Sequence, residues 1–266
     1  MKNISLGLIA PFLFLITIEM MAHENKTDTP QEDRTVCWIQ NAGFFIDLPD
    51  GDILIDAILS SDDAIARAEV PYDDVRLIFV SHVHGDHFNA KGILQHLRAN
   101  GKAKAIVTPE SFQSLRSAGL EEDLKSRILI SYPDELEKFE LNGFLGHVLQ
   151  FKHAGVQNIG LGLKGKDIGL VYLNGGIQNK ELVDQMSERY RQVDIAIANK
   201  WPLNNTDYVK QVEALFSPSL LLMAHHSGAG DEIVKENGGI SEMEKKMTST
   251  IMKGKVFQRR MECESF

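Results

Sequence analysis

Residues 77–80 read Leu-Ile-Phe-Val, and the chain then places Ser81-His82-Val83-His84-Gly85-Asp86-His87 in direct succession. A continuous apolar run of this kind is the pattern of a strand covered on both faces. Any fold for this chain must therefore end a doubly buried strand in a segment holding three imidazoles and a carboxylate. Three of the nine histidines fall within six positions there. Imidazole nitrogens with a carboxylate oxygen are ligands that suit zinc and iron. In extended chain His82 and His84 share one face, because successive side chains alternate. Gly85 permits a sharp turn that brings Asp86 and His87 towards the same centre. For any one of these histidines a surface loop or a satisfied core position is the simpler account; for four such residues behind a buried strand it is not.

The flanking pattern predicts what holds that strand. Short apolar runs at 36–40, 43–48 and 53–55 alternate with turn residues, with Asp50-Gly51 as a tight reversal between the last two. Residues 91–100 place Ile93, Leu94 and Leu97 at helical spacing, 105–108 is a short strand, and 109–118 is a second helix. After Tyr132-Pro133 the strands resume at 144–151, 159–163 and 168–173. A helix at 181–190, a strand at 193–198, a helix at 207–216 and a buried strand at 220–224 follow, and the tail 241–266 adds a charged helix and a last strand. Each half begins with strands and continues with strand/helix alternation. That order predicts two sheets packed face to face with helices outside.

The 266 residues carry 28 Lys+Arg against 37 Asp+Glu, a formal charge of −9, and 43% are apolar. A chain of this length can bury a large core in one compact domain. Its acidic balance argues against the electrostatic attraction on which nucleic-acid binding relies. The first residues form a short basic start, an apolar run from Ile4 to Ile18 and a small residue at Ala22. That is the shape of a secretory signal over residues 1–22, and it predicts an exported protein, periplasmic or secreted. An uncleaved anchor is the alternative, since Met20 is not small; cleavage would leave no stable membrane insertion. Residues 23–34, polar and including His23, read as a flexible linker, leaving 35–266 as the folded domain. The only cysteines are Cys37 and Cys263. Free thiols are the default expectation, and a disulfide tying the first strand to the tail is the alternative.

His82-x-His84-x-Asp86-His87 resembles the His-x-His-x-Asp-His signature of the metallo-β-lactamase superfamily. Ile53-Leu54-Ile55-Asp56-Ala57 is similar to the end of that superfamily's opening strands. Leu149-Gln150-Phe151-Lys152-His153 resembles its third-histidine segment, and the stretch from Val193 to His225 resembles the path to its last ligand. The pattern covers roughly residues 35–257 and is most similar to the lactonase-like branch. The resemblance implies an α/β, four-layer αββα sandwich of two mixed β-sheets with outer helices. It implies zinc, one or two ions, with iron or manganese as alternatives. One ion would be held by His82, His84 and His153, and the other by Asp86, His87 and His225. His226 competes with His225, and the one left over could face the cleft as a substrate contact or proton donor. His96 and His147 read as ordinary helix and strand residues.

The implied function is hydrolysis of a small-molecule ester, lactone, amide or phosphoester by water ionised at the metal, with Asp86 orienting that water or taking its proton. The chain departs from the family at one position: where a Gly-Asp pair normally supplies a carboxylate bridging both metals, this sequence reads Asn174-Gly175-Gly176. Asn174 could lend a neutral oxygen, and Asp184 could do so only if its helix unwound. Loss of the bridge motivates a second expectation, a catalytically weakened or non-catalytic metal-binding protein. A third, a mononuclear iron oxidoreductase similar to the sulfur dioxygenases, needs the same missing carboxylate. Nothing in the sequence locates an oligomer interface.

Overall fold

The computed structural model describes residues 34–57, 73–132, 137–153, 155–174 and 180–266. The expected signal peptide, almost all of the linker, and Gly176 lie outside the described residues. Seven strands build the first sheet: β1 (Thr35–Gln40), β2 (Gly43–Asp47), β3 (Asp52–Ile55), β4 (Val75–Phe79), β5 (Lys104–Val107), β6 (Ile128–Ile130) and, on the free edge of β1, β14 (Glu262–Ser265). The second sheet contains β7 (Glu137–Leu141), β8 (Phe144–His153), β9 (Val156–Lys164), β10 (Gly169–Leu173), β11 (Ile195–Asn199), β12 (Leu220–Ala224) and β13 (Lys253–Lys255). In each sheet three antiparallel pairings are followed by three parallel ones.

Strand alternation sorts the apolar residues into layers. Ile53, Ile55, Leu77 and Phe79 of the first sheet meet Leu161, Leu170, Tyr172, Ile195, Ile197 and Leu222 of the second in a core between the sheets. The intervening residues face outward beneath helices. Leu54, Ile78 and Val80 pack with Ile93, Leu94 and Leu97 of α1 (Ala90–Ala99), Leu115 of α2 (Pro109–Ser117) and Leu124 of α3 (Glu122–Lys125). Val171, Leu173, Leu221 and Met223 pack with Val183 and Met186 of α4 (Lys180–Arg189), Leu203 of α5 (Lys200–Leu203) and Val212 of α6 (Thr206–Phe216). Val234 of α7 (Glu232–Glu236) and Met243 of α8 (Ile240–Met247) complete that layer. This is the four-layer αββα sandwich. No helix among the described residues is long and apolar enough to cross a membrane.

Local chemistry explains the element ends. The Asn89 side chain accepts from Gly92 N and starts α1, and Thr108 accepts from Ser111 N ahead of Pro109, which starts α2. The Asp50-Gly51 reversal is a four-residue turn closed by Gly51 N on Leu48 O at 3.1 Å, in which Gly51 has a positive φ and Asp50 does not. The tail corrects the free-thiol expectation. β14 runs antiparallel to β1 with Cys263 directly opposite Cys37, and the two form a disulfide with Cα atoms 4.0 Å apart.

Candidate metal centre

The carboxyl ends of the parallel strands carry the polar residues, the edge at which open α/β sheets bind ligands. β4 delivers the histidine-rich segment, β3 delivers Asp56, β10 delivers Asn174, β11 delivers Asn199 and β12 delivers His225. The chain has left the strand at Val80, so His82 and His84 are not brought together by strand alternation. Instead, His87 N and Phe88 N both donate to His84 O at 2.9 Å, and this turn folds the histidines over one another. The ring centroids of His82 and His84 are 4.7 Å apart, and those of His82 and His87 are 4.0 Å apart. Gly85 has neither a positive φ nor any atom within 4 Å of where a Cβ would stand, so the turn does not demand glycine.

Asp86 sits at the meeting point. Its Oδ2 lies 3.1 Å from His225 Nε2 and 3.7 Å from His87 Nε2. Candidate ligand atoms of Asp86, His87 and His225 lie within 4.8 Å of one another, and so do those of His82, His84 and Asp86. Of the expected ligands, these five converge. For His153 only the backbone is described: it ends β8 opposite Val156, and the same hairpin is seated beside the histidine segment by Ile159 N donating to Ser81 O at 2.9 Å. The His153 side chain lies outside what the structure describes.

A buried network sets the imidazoles. Asp56 Oδ1 accepts from Ser81 N at 2.7 Å, and its Oδ2 accepts from Ser81 Oγ at 2.6 Å and from the Tyr172 hydroxyl at 2.6 Å. His87 Nδ1 lies 2.8 Å from the same Oδ2 and so carries the ring proton. Because Ser81 Oγ spends its own proton on Asp56, it can only accept from Asn174 Nδ2 at 2.7 Å and from His82 Nδ1 at 2.9 Å. Both rings are thereby held with Nδ1 protonated and the Nε2 lone pair available, the arrangement in which an outer-shell partner fixes a ligating tautomer. Burial pushes the Asp56 carboxyl up, but His87 and the Ser81 hydrogen bonds outweigh it and leave the pKa lowered. Asp86 is likewise lowered: burial opposes ionisation, while His87, the Asn41 side-chain hydrogen bond and His225 favour it. The His225 pKa is lowered by burial first and by His87 next, which keeps the ring neutral and able to donate a lone pair.

These residues fit a divalent cation. His87 Nε2 is buried and has no hydrogen-bond partner among the described residues, although its other nitrogen is tightly held. A buried polar atom left that way is costly, and its neighbours Asp86 and His225 complete a nitrogen and oxygen donor set suited to zinc or iron.

The structure also bears on three alternatives that the sequence left open. Asn174 is no metal donor in this arrangement: its Oδ1 accepts from Asn199 Nδ2 at 2.9 Å, and its amide donates to Ser81 and Asn158. Asp184 is ion-paired with Lys180 on α4 and is not in the cluster. His226 does not face the cleft. It is 2% exposed, stacks on Trp38 at 4.4 Å between ring centroids, and accepts at Nδ1 from Gly228 N. The divergence arises because His225 adopts a left-handed φ of 63°, which turns its ring to Asp86 and sends the next residue inward. Asn41 was not foreseen. Its Nδ2 donates to Asp86 Oδ2 at 2.9 Å and its carbonyl accepts from His225 N at 2.9 Å, so one loop residue orients two cluster members. Asp56 was visible in the sequence as the carboxylate near the end of the family-like segment Ile53 to Ala57, with no role attached to it.

Known proteins give the same picture. The sequence family described as the metallo-β-lactamase superfamily matches residues 37–163. No curated protein matches the chain. Among solved structures, Igni18, described as a novel metallo hydrolase from Ignicoccus hospitalis, superposes with a TM-score of 0.63 at 16% identity, covering 88% of this chain and 98% of that one. The metallo-β-lactamase fold protein YhfI from Bacillus subtilis gives 0.61 at 13% identity, covering 88% and 100%. CmlA, a diiron β-hydroxylase from Streptomyces venezuelae, gives 0.57 at 14% identity, covering 90% of this chain and 54% of that one. At these identities the structural likenesses speak for the fold alone. Residues 37–163 thus match the metallo-β-lactamase superfamily in sequence, and the paired mixed sheets with the His/Asp cluster at the strand ends give this chain the metallo-β-lactamase fold.

Proposed function

We propose that the protein is a metal-dependent hydrolase of small-molecule esters, lactones, amides or phosphoesters. Zinc would be held by His82, His84 and His153 and by Asp86, His87 and His225. The observation that carries this reading is the convergence of Asp86 Oδ2 with the Nε2 atoms of His87 and His225, the His87 atom being buried and without a hydrogen-bond partner among the described residues. When bound, such ions supply Lewis acidity and lower the pKa of water. The chain's own residues do the rest. Asp56 and Ser81 hold His87 and His82 in the ligating tautomer, Asn41 aims the Asp86 carboxylate, and Asp86, 44% exposed on its side chain, is placed to accept a proton from an attacking water. The disulfide supports the export expectation, since such bonds persist in oxidising compartments.

One observation favours the weakened alternative: the oxygen of Asn174 is committed to Asn199, so that residue does not replace the missing carboxylate. Elemental analysis of protein purified without added metal, beside a panel of the four substrate classes, separates the readings. The hydrolase reading expects about two zinc ions per chain and turnover that disappears with a chelator and with His84→Ala. One ion or none, rising in Gly176→Asp, together with no turnover above free zinc, would overturn it in favour of the weakened protein.

A further inference from the structure

Among the described residues four large apolar side chains are exposed, and of these Trp201, 50% exposed, lies against the ring of His225 in the His/Asp cluster. Its ring centroid lies 4.5 Å from that of His225 with the planes at 52°. Trp201 follows Asn199, which is buried and tied to Asn174, so the backbone that presents it starts from the same network that sets the imidazoles. The indole is also steered from its own neighbour. Lys200 Nζ lies 5.3 Å from the Trp201 ring centroid and 2.7 Å from Asp231 Oδ2. Asp231 is itself held by the backbone N–H groups of Ser227 and Ile233. The cation on the ring is therefore neutralised by a buried, rigid carboxylate, and the indole face offered beside His225 is aromatic and apolar. A half-bare indole fixed this way gains by being covered, and aromatic groups cover it best.

Resting on the hydrolase reading of the same centre, we infer that Trp201 is a substrate platform that selects esters carrying a planar, apolar group next to the scissile bond. A scissile group lying against Asp86 and His225 has its nearest substituent within one ring's breadth of the indole. An anionic substituent lying over the indole finds Lys200 already paired with Asp231. A compact aliphatic one leaves the indole bare.

The test compares wild type, Trp201→Ala and Trp201→Phe, all zinc-loaded, on 2-naphthyl acetate and ethyl acetate, with binding of 2-naphthol measured separately by calorimetry. Trp201→Ala should raise KM for the naphthyl ester roughly tenfold, at least fivefold more than for ethyl acetate, with kcat changed much less. It should weaken 2-naphthol binding by a similar factor, and Trp201→Phe should recover most of both losses. Equal KM changes for the two esters, or 2-naphthol binding that ignores Trp201 or is absent in wild type, would overturn the platform. The calorimetric arm needs no turnover. If neither ester is hydrolysed while 2-naphthol binding still depends on Trp201, the platform stands and the hydrolase reading fails.

Discussion

Asp56 lies about thirty residues ahead of His87 in the chain, yet its carboxylate accepts from Ser81 N, Ser81 Oγ, Tyr172 and His87. It is fully buried at a left-handed φ of 43°, and such strained positions are kept where the surroundings over-determine them. Asn41 and His225, also at positive φ, flank the same cleft. Asp56→Asn replaces an all-acceptor group with one that presents a donor to donors, and removes the charge that keeps the His87 proton on Nδ1. Metal affinity should fall on the order of 10–100-fold, as for other outer-shell changes. A competition titration with a chromophoric chelator measures this. Unchanged affinity would show that something other than Asp56 sets the His87 tautomer. The Gly43 backbone lies so close to Asp56 O that a Cβ would stand 2.8 Å from it, which is why β2 opens with glycine.

At the scale of elements, α1 shows how a periodic apolar face becomes structure and what else it buries. Ile93, Leu94 and Leu97 face the first sheet as their spacing predicts, and His96 is buried beside them. Burial lowers the His96 pKa from 6.5 to about 4. The unfolded chain therefore takes up a proton that the folded one refuses between those values. Stability from this residue is full above about pH 6.5 and is lost as pH falls towards 4. The slope approaches roughly 1.4 kcal/mol per pH unit. In urea melts across pH 4 to 7, His96→Leu should flatten the stability profile by about one proton. An unaltered slope would place the acid sensitivity elsewhere. The helix and strand positions carrying strong periodicity were legible in sequence to within a few residues, as with β12 at 220–224 and α1. β6 and β7 were not, because they are short edge strands: β6 is only half-buried and carries no alternation to detect. α5, one turn long and containing Pro202, is set by its place after β11 rather than by any helical pattern.

At the scale of the molecule, β14 takes the place on the first sheet that β7 takes on the second, so the last residues of the chain close the sheet that the first strand opens. The Cys37–Cys263 bond spans 226 positions of sequence and fastens that closure. Cross-linking so long a loop stabilises chiefly by restricting the unfolded chain, and its removal typically costs about 2–5 kcal/mol. Guanidinium melts with and without reductant should differ by that amount, and the Cys37→Ser, Cys263→Ser double variant should match the reduced protein. Coincident melts would mean that the pairing of β1 with β14 holds without the bond.

The sequence by itself determined the layers and the first cluster of donors. Apolar period and turn residues are local, and His82, His84, Asp86 and His87 share one short segment whose only plausible placement is the end of a buried strand. Tertiary structure alone decided three things: that His225 rather than His226 joins Asp86, that Cys37 meets Cys263, and that Asp56, Asn41 and Trp201 surround the centre. Each of these depends on which strand ends lie side by side and on a single backbone angle at a strand terminus. Those follow from long-range pairing across two sheets, and residues near in sequence carry no record of it.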